Sequence, residues 1–106
     1  MNVQEMMSLK GRKAVVIGGA GGIGQAIAAG FADAGAEVAI ASRNEESLKA
    51  AAQAIYEKTG CKIRYYTVDV SDEESIVALA KKANEEMGFI QILVNSQGLN
   101  RKAATL

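Results

Sequence analysis

Apolar residues come in two alternating rhythms along this chain. Lys13 to Ile17 closes on Ala14-Val15-Val16-Ile17 with no polar alternation, the signature of a strand covered on both faces. Ile23, Ile27, Phe31 and Ala34 then recur at helical spacing, predicting a helix from about Gly22 to Ala34 with that stripe as its buried face. Gly30 lies inside this helix, where it costs about 1 kcal/mol against alanine, so close packing against a neighbour is expected there. Gly35 suits a left-handed helix end. Glu37 to Ala41 is a second apolar strand. Asn44, followed by Glu45 and Glu46, predicts the capped start of a helix carrying Leu48, Ala51, Ala52 and Ile55 and ending at Gly60. Lys62 to Val68 alternates less cleanly, as an edge strand does. Ser71-Asp72-Glu73-Glu74 reads as a capping box between Ser71 and Glu74. It opens a third helix with Ile76, Leu79, Ala80, Ala83 and Met87, closed by Gly88. Phe89 to Val94 is a fourth strand and Asn95 to Gly98 a loop. The order β-α-β-α-β-α-β calls for a parallel sheet with right-handed crossovers and strand order 3-2-1-4. The first two helices then cover one face and the third covers the other. No linker divides the chain, so residues 1–106 form one domain or part of one.

The junction of the first strand and first helix carries the chemistry. Ile17-Gly18-Gly19-Ala20-Gly21-Gly22-Ile23-Gly24 is a glycine turn between an apolar strand and an amphipathic helix. Glycine lets the backbone turn tightly and approach a ligand, while the helix start offers N–H groups and the positive end of its dipole to an anion. A flexible glycine linker is the alternative, and the ordered flanks argue against it. A loop of the NTPase kind requires Gly-Lys-Ser/Thr, but Gly24 is followed by Gln25 and Ala26.

Composition narrows the partners. Lys plus Arg and Asp plus Glu are balanced at 12 each, giving no global field for nucleic acid or an anionic membrane. The apolar runs are strand-length, and Met1 to Leu9 has no apolar core of the signal-peptide kind. With a single cysteine, Cys61, and no histidine, neither an internal disulfide nor a zinc site is expected. A reducing, cytoplasmic location fits this composition.

With these elements in place, the chain resembles the N-terminal half of the short-chain dehydrogenase/reductase family, over about Leu9 to Gly98. The family's Thr-Gly-x-x-x-Gly-x-Gly loop appears as Ile17 to Gly24, its Asp-Val after the third strand as Asp69-Val70, and its Asn-Asn-Ala-Gly as Asn95-Ser96-Gln97-Gly98. The resemblance implies a Rossmann-type α/β fold and a nicotinamide dinucleotide cofactor. Gly18, Gly22, Gly24 and the Ile23 backbone would lie against its pyrophosphate and ribose. Asp69 would accept from the adenine amino group, with Val70 flanking the ring. Asn95 would brace the fourth strand, and Gly98 would allow approach to the nicotinamide ribose. Asp69 and Asn95 also suit plain turns.

Three departures shape the expectations. Ile17 stands where the family has threonine, removing a hydroxyl that would tie the loop to the Asn95 region. Ser96-Gln97 replaces Asn-Ala. The catalytic Tyr-x-x-x-Lys is absent: Tyr56, Tyr65 and Tyr66 are followed four on by Gly60, Asp69 and Val70. No catalytic residue is therefore assigned, and the sequence reads as part of a longer enzyme, truncated after the fourth strand. At the end of the second strand, where an acid would bind a ribose 2′-hydroxyl, stand Ser42 and Arg43, which suit the 2′-phosphate of NADP. A solvated Arg43 paired with Glu46 is the alternative.

The expected activity is hydride transfer between NADP(H) and a small-molecule carbonyl or alcohol by the parent enzyme. The stretch Asn95 to Lys102 looks somewhat like that of sugar-acid and polyol reductases. A non-catalytic nucleotide-binding or redox-sensing module is the alternative. The bare fourth strand and half-covered face predict a homo-oligomer.

Overall fold

The computed structural model of the chain describes residues 8–96. Strands β1 (Lys13–Ile17), β2 (Glu37–Ser42), β3 (Arg64–Thr67) and β4 (Ile92–Asn95) alternate with helices α1 (Gly22–Asp33), α2 (Glu45–Thr59) and α3 (Glu73–Met87). The strands form one parallel sheet in the order β3-β2-β1-β4, as the alternation of patterns predicted. Side chains of β1 and β2 alternate between two cores. Ala14, Val16, Val38 and Ile40 pack with Ala28, Ala29 and Ala32 of α1 and with Leu48, Ala51 and Ile55 of α2. Val15, Ile17, Ala39 and Ala41 pack on the other side with Leu79, Ala83 and Met87 of α3. Both central strands are thus buried on both faces, which is why their sequences lack polar alternation.

The sheet meets α1 through a different stripe from the expected one. Gly24, Ala28, Ala29 and Ala32 are buried, while Ile23 is 42% exposed and Ile27 and Phe31 pack only partly against the core. Small residues facing the sheet let the helix approach closely, so the larger apolar side chains sit on its flanks. Gly30 is exposed, and a Cβ there would meet nothing within 4 Å, so it has no close-packing role. Gly35 takes φ 102° just after the helix, as expected of a residue without a Cβ.

The start of α3 also differs. Asp72, not Ser71, is its N-cap, accepting from the Glu74 N–H at 3.0 Å. The Ser71 hydroxyl instead donates to Asp69 Oδ1 at 2.6 Å, so the capping box does not form. Within α3, Ile76 and Ala80 lie on the exposed side. The strand β4 begins at Ile92 rather than Phe89, which is 75% exposed. The edge strand β3 is shorter than its sequence pattern, spanning only Arg64–Thr67.

Two surfaces complete the frame. Near the strand starts, Lys13 and Arg64 both pair with Glu37, at 3.1 and 3.6 Å, and Arg64 reaches Glu86 at 3.8 Å. The Tyr66 hydroxyl donates to the same Glu86 at 2.5 Å. Burial first, then the neighbouring Glu86 carboxylate, pushes the Tyr66 hydroxyl up to about 12. Beside α3 the sheet is incompletely covered. An apolar groove of about 340 Å³ runs between Leu79, Ala83, Ile90 and Leu93, and Leu93 is 67% exposed.

Candidate nucleotide site at the strand ends

The glycine turn is built by three local features. Gly18 has φ 85°, a conformation that favours glycine. Its N–H donates to Ala41 O at 2.7 Å, and its carbonyl accepts from the Gly21 N–H at 3.1 Å, folding the loop back on itself. Gly24, in the first turn of α1, lies flush against this fold. A Cβ at Gly24 would fall 2.2 Å from Gly18 O and 2.6 Å from Ser96 Oγ. A Cβ at Gly22, in contrast, would meet nothing within 4 Å.

The three helix starts are not alike. Asn44 caps α2 by accepting from the Ser47 N–H at 2.9 Å, Asp72 caps α3, and each helix has two glutamates in its first turn. Helix α1 begins at Gly21 with no side-chain cap and no acid in its first turn. Its first-turn N–H groups and dipole therefore have no capping side chain and no acid of their own turn competing for them.

A cleft of about 480 Å³ opens at this end of the sheet, lined by Gly18, Ala20, Gly21, Ser42, Arg43, Ser47, Asp69, Val70, Ser71 and Ser96. It thus brings together Gly18, Ser42, Arg43, Asp69 and Val70 from the sequence-predicted set. Gly22, Ile23 and Gly24 follow directly in the first turn of α1. Asn95 ends β4 in register with Ile17. Gly98, Gln97 and the stretch up to Lys102 lie outside the described residues.

Ser42 is buried, and its Oγ accepts from the Asn44 N–H at 3.3 Å. Arg43 is exposed and, among the described residues, enters no ion pair, so the alternative pairing with Glu46 is not formed. Asp69 takes hydrogen bonds from the Ser71 hydroxyl at 2.6 Å and the Ser71 N–H at 3.0 Å. These bonds, with a smaller contribution from the charge of Arg43, hold its carboxyl below the ordinary aspartate range. Both fall on Oδ1, leaving Oδ2 for another donor.

Ser96, noted in the sequence only as a departure from the family's motif and given no role there, is a further contributor. It is buried; its N–H and its hydroxyl both donate to Ile17 O, at 2.9 and 3.0 Å. The signal available was a small hydroxyl residue directly after an apolar strand, which alone says nothing of a partner 79 positions earlier. Among the described residues no cluster of His, Cys, Asp or Glu could hold a metal ion.

A parallel sheet of this strand order, with a glycine turn and an uncapped helix start beside its ends, defines a Rossmann-type α/β unit. The family model described as short chain dehydrogenase matches residues 12–106, and the chain belongs to that family. It is 43% identical over 93 residues to the 3-oxoacyl-(acyl-carrier-protein) reductase FabG of Chlamydia muridarum, covering 88% of this chain and 38% of that protein. It is 38% identical over 103 residues to gluconate 5-dehydrogenase of Gluconobacter oxydans, covering 97% of this chain and 40% of that protein. Among solved structures, L-sorbose reductase from Gluconobacter frateurii, complexed with NADPH and L-sorbose, superposes with a TM-score of 0.76 at 36% identity, over 82% of this chain and 33% of that one. The chain thus spans about two fifths of the length of these curated relatives.

Proposed function

We propose that this chain is the cofactor-binding part of an oxidoreductase that transfers hydride between NADP(H) and a small carbonyl or alcohol. The observation that carries this reading is the single cleft shared by the glycine turn, Arg43 and Asp69, beside a helix start with no cap and no acid. The donor set fits a dinucleotide. The turn and first-turn N–H groups of Gly22, Ile23 and Gly24 would hold the pyrophosphate. Ser42 and Arg43 would hold a 2′-phosphate by a hydroxyl and a guanidinium fork. Asp69 Oδ2 would accept from the adenine amino group, and Val70 would pack on the ring. Asn95 would brace β4, and Gly98 would allow approach to the nicotinamide ribose. When bound, the cofactor supplies or accepts the hydride. The protein's part here is to bind and orient it. Within these 106 residues no Tyr-x-x-x-Lys pair is present to move the accompanying proton.

The names of gluconate 5-dehydrogenase and L-sorbose reductase among the relatives support a sugar-acid or polyol as the substrate class. The composition supports a cytoplasmic protein, and the open apolar groove beside β4 supports a homo-oligomer. The missing tyrosine and lysine favour a second reading, a nucleotide-binding or redox-sensing module without catalysis.

Ligand fragments test the central assignment. Adenosine 2′,5′-bisphosphate should bind the chain roughly tenfold to a hundredfold more tightly than adenosine 5′-monophosphate, the range expected for one charged hydrogen-bonded pair. Equal affinities would refute the 2′-phosphate assignment, and absence of binding by both would refute the nucleotide site. Appearance of ketone-dependent NADPH oxidation only when a Tyr-x-x-x-Lys-bearing segment is joined to the chain would separate the enzyme from the module.

A further inference from the structure

The glycine turn is held from both sides by the neighbouring strands. On the β2 side the Gly18 N–H donates to Ala41 O. On the β4 side Asn95 stands in register with Ile17, and Ser96 follows it. The Ser96 N–H and Oγ both donate to Ile17 O, the last carbonyl of β1 before the turn, at 2.9 and 3.0 Å. The same Oγ lies against the first turn of α1, 2.6 Å from where a Cβ on Gly24 would stand. Ser96 is only 3% exposed, yet it borders the cleft together with Gly18, Gly21 and Arg43. One buried hydroxyl therefore bonds to the end of β1 and abuts the start of α1, the two pieces that flank the glycine turn.

We infer that Ser96 is a positioning residue, which fixes the direction of the Ile17 carbonyl and so sets the glycine turn for the cofactor phosphates. This inference rests on the cofactor assignment proposed above and deepens it. A carbonyl held by two donors from one residue cannot swing without breaking both bonds, and the next peptide leads directly into the φ 85° conformation of Gly18. Removing the hydroxyl leaves the Ser96 N–H in place. Ile17 O then keeps one partner, and no buried polar group is orphaned. The fold should survive while the turn gains freedom.

Two measurements on the full chain test this, using Ser96→Ala and, as the hydroxyl-bearing control, Ser96→Thr. Amide hydrogen exchange without ligand should be about three- to tenfold faster at Gly18 to Gly24 in Ser96→Ala and unchanged in α2, the range expected when one hydrogen bond is lost. NADPH affinity should fall by a similar factor, and Ser96→Thr should restore both. Exchange in the turn that matches the wild type would overturn the inference, whether or not NADPH binds. So would faster exchange spread equally over α2, which would mark a general loss of stability, or NADPH affinity unchanged by Ser96→Ala. Failure of the wild-type chain to bind NADPH, with the local exchange difference intact, would support the ordering of the turn by Ser96 and overturn the cofactor assignment instead.

Discussion

One substitution made at two glycines of the same helix should have opposite effects. Both Gly24 and Gly30 lie within α1, and propensity alone would make alanine stabilising at each by about 1 kcal/mol. At Gly30 nothing opposes this gain, because the added Cβ meets no atom within 4 Å. At Gly24 the Cβ would stand 2.2 Å from the Gly18 carbonyl oxygen and 2.8 Å from its carbon. The obstacle is backbone, so no rotamer change relieves it, and the turn and helix must separate. Overpacking of this kind costs roughly 1–3 kcal/mol, and a backbone obstacle places Gly24→Ala near the upper end. Subtracting the propensity gain leaves a net loss of about 2 kcal/mol. For a domain of this size, about 1 kcal/mol shifts Tm by roughly 4–8 °C. Gly30→Ala should therefore raise Tm by roughly 4–8 °C, and Gly24→Ala should lower it by roughly twice that. Thermal melts followed by far-ultraviolet circular dichroism check both. A Gly24→Ala variant as stable as the wild type, or a destabilised Gly30→Ala, would refute the packing of α1 described here. Gly22→Ala separates stability from binding: it should fold like the wild type, since its Cβ meets nothing within 4 Å, and still weaken nucleotide binding.

Further outcomes concern pH, assembly and activity. The folded Tyr66 hydroxyl titrates near 12, above its ordinary 10.0, so its contribution is complete below pH 10 and is lost as pH rises towards 12. Urea midpoints between pH 10 and 12 should therefore fall more steeply for the wild type than for Tyr66→Phe; parallel slopes would contradict the Tyr66–Glu86 bond. The Asp69 carboxyl is held low, so the stability it contributes is present above its ordinary range and is lost as pH falls through its lowered value. Asp69→Asn should flatten that acid-side slope, and an unchanged slope would argue against the Ser71 bonds. Burying ~600 Å² of the apolar face beside β4 would contribute about 15 kcal/mol before association costs that offset much of it; sedimentation should show dimers or larger species, and a single folded monomer would contradict this. The chain alone should oxidise NADPH no faster than buffer across a panel of ketones and aldehydes, and turnover above that blank would refute the need for a missing proton donor.

The sheet was legible in the sequence because its central strands are apolar on both sides and each is followed by glycine or a capping residue. Gly35, Gly60 and Gly88 all take positive φ, as helix-ending glycines do, and Asn44 caps α2 as expected. Periodicity points away from the buried face of α1 because it weights large side chains, whereas close approach to the sheet selects Gly24, Ala28 and Ala32. The capping box failed because Asp69 competes for the Ser71 hydroxyl, and the pattern Ser-x-x-Glu does not reveal that competitor. Within the site, Gly18, Ser42, Arg43 and Asp69 were legible because each follows or ends a strand, and a parallel sheet brings such ends together. Ser96 was not, because its role depends on a carbonyl and a glycine that only the tertiary fold places beside it.

The central claim is that this cleft holds NADP(H) through Arg43. Its most direct test is titration of the wild-type chain and of Arg43→Asp with NADPH and NADH, followed by ligand fluorescence or calorimetry. The wild type should bind NADPH roughly tenfold to a hundredfold more tightly than NADH, and Arg43→Asp should reverse the order. Equal affinities for the two cofactors in both proteins would contradict the claim.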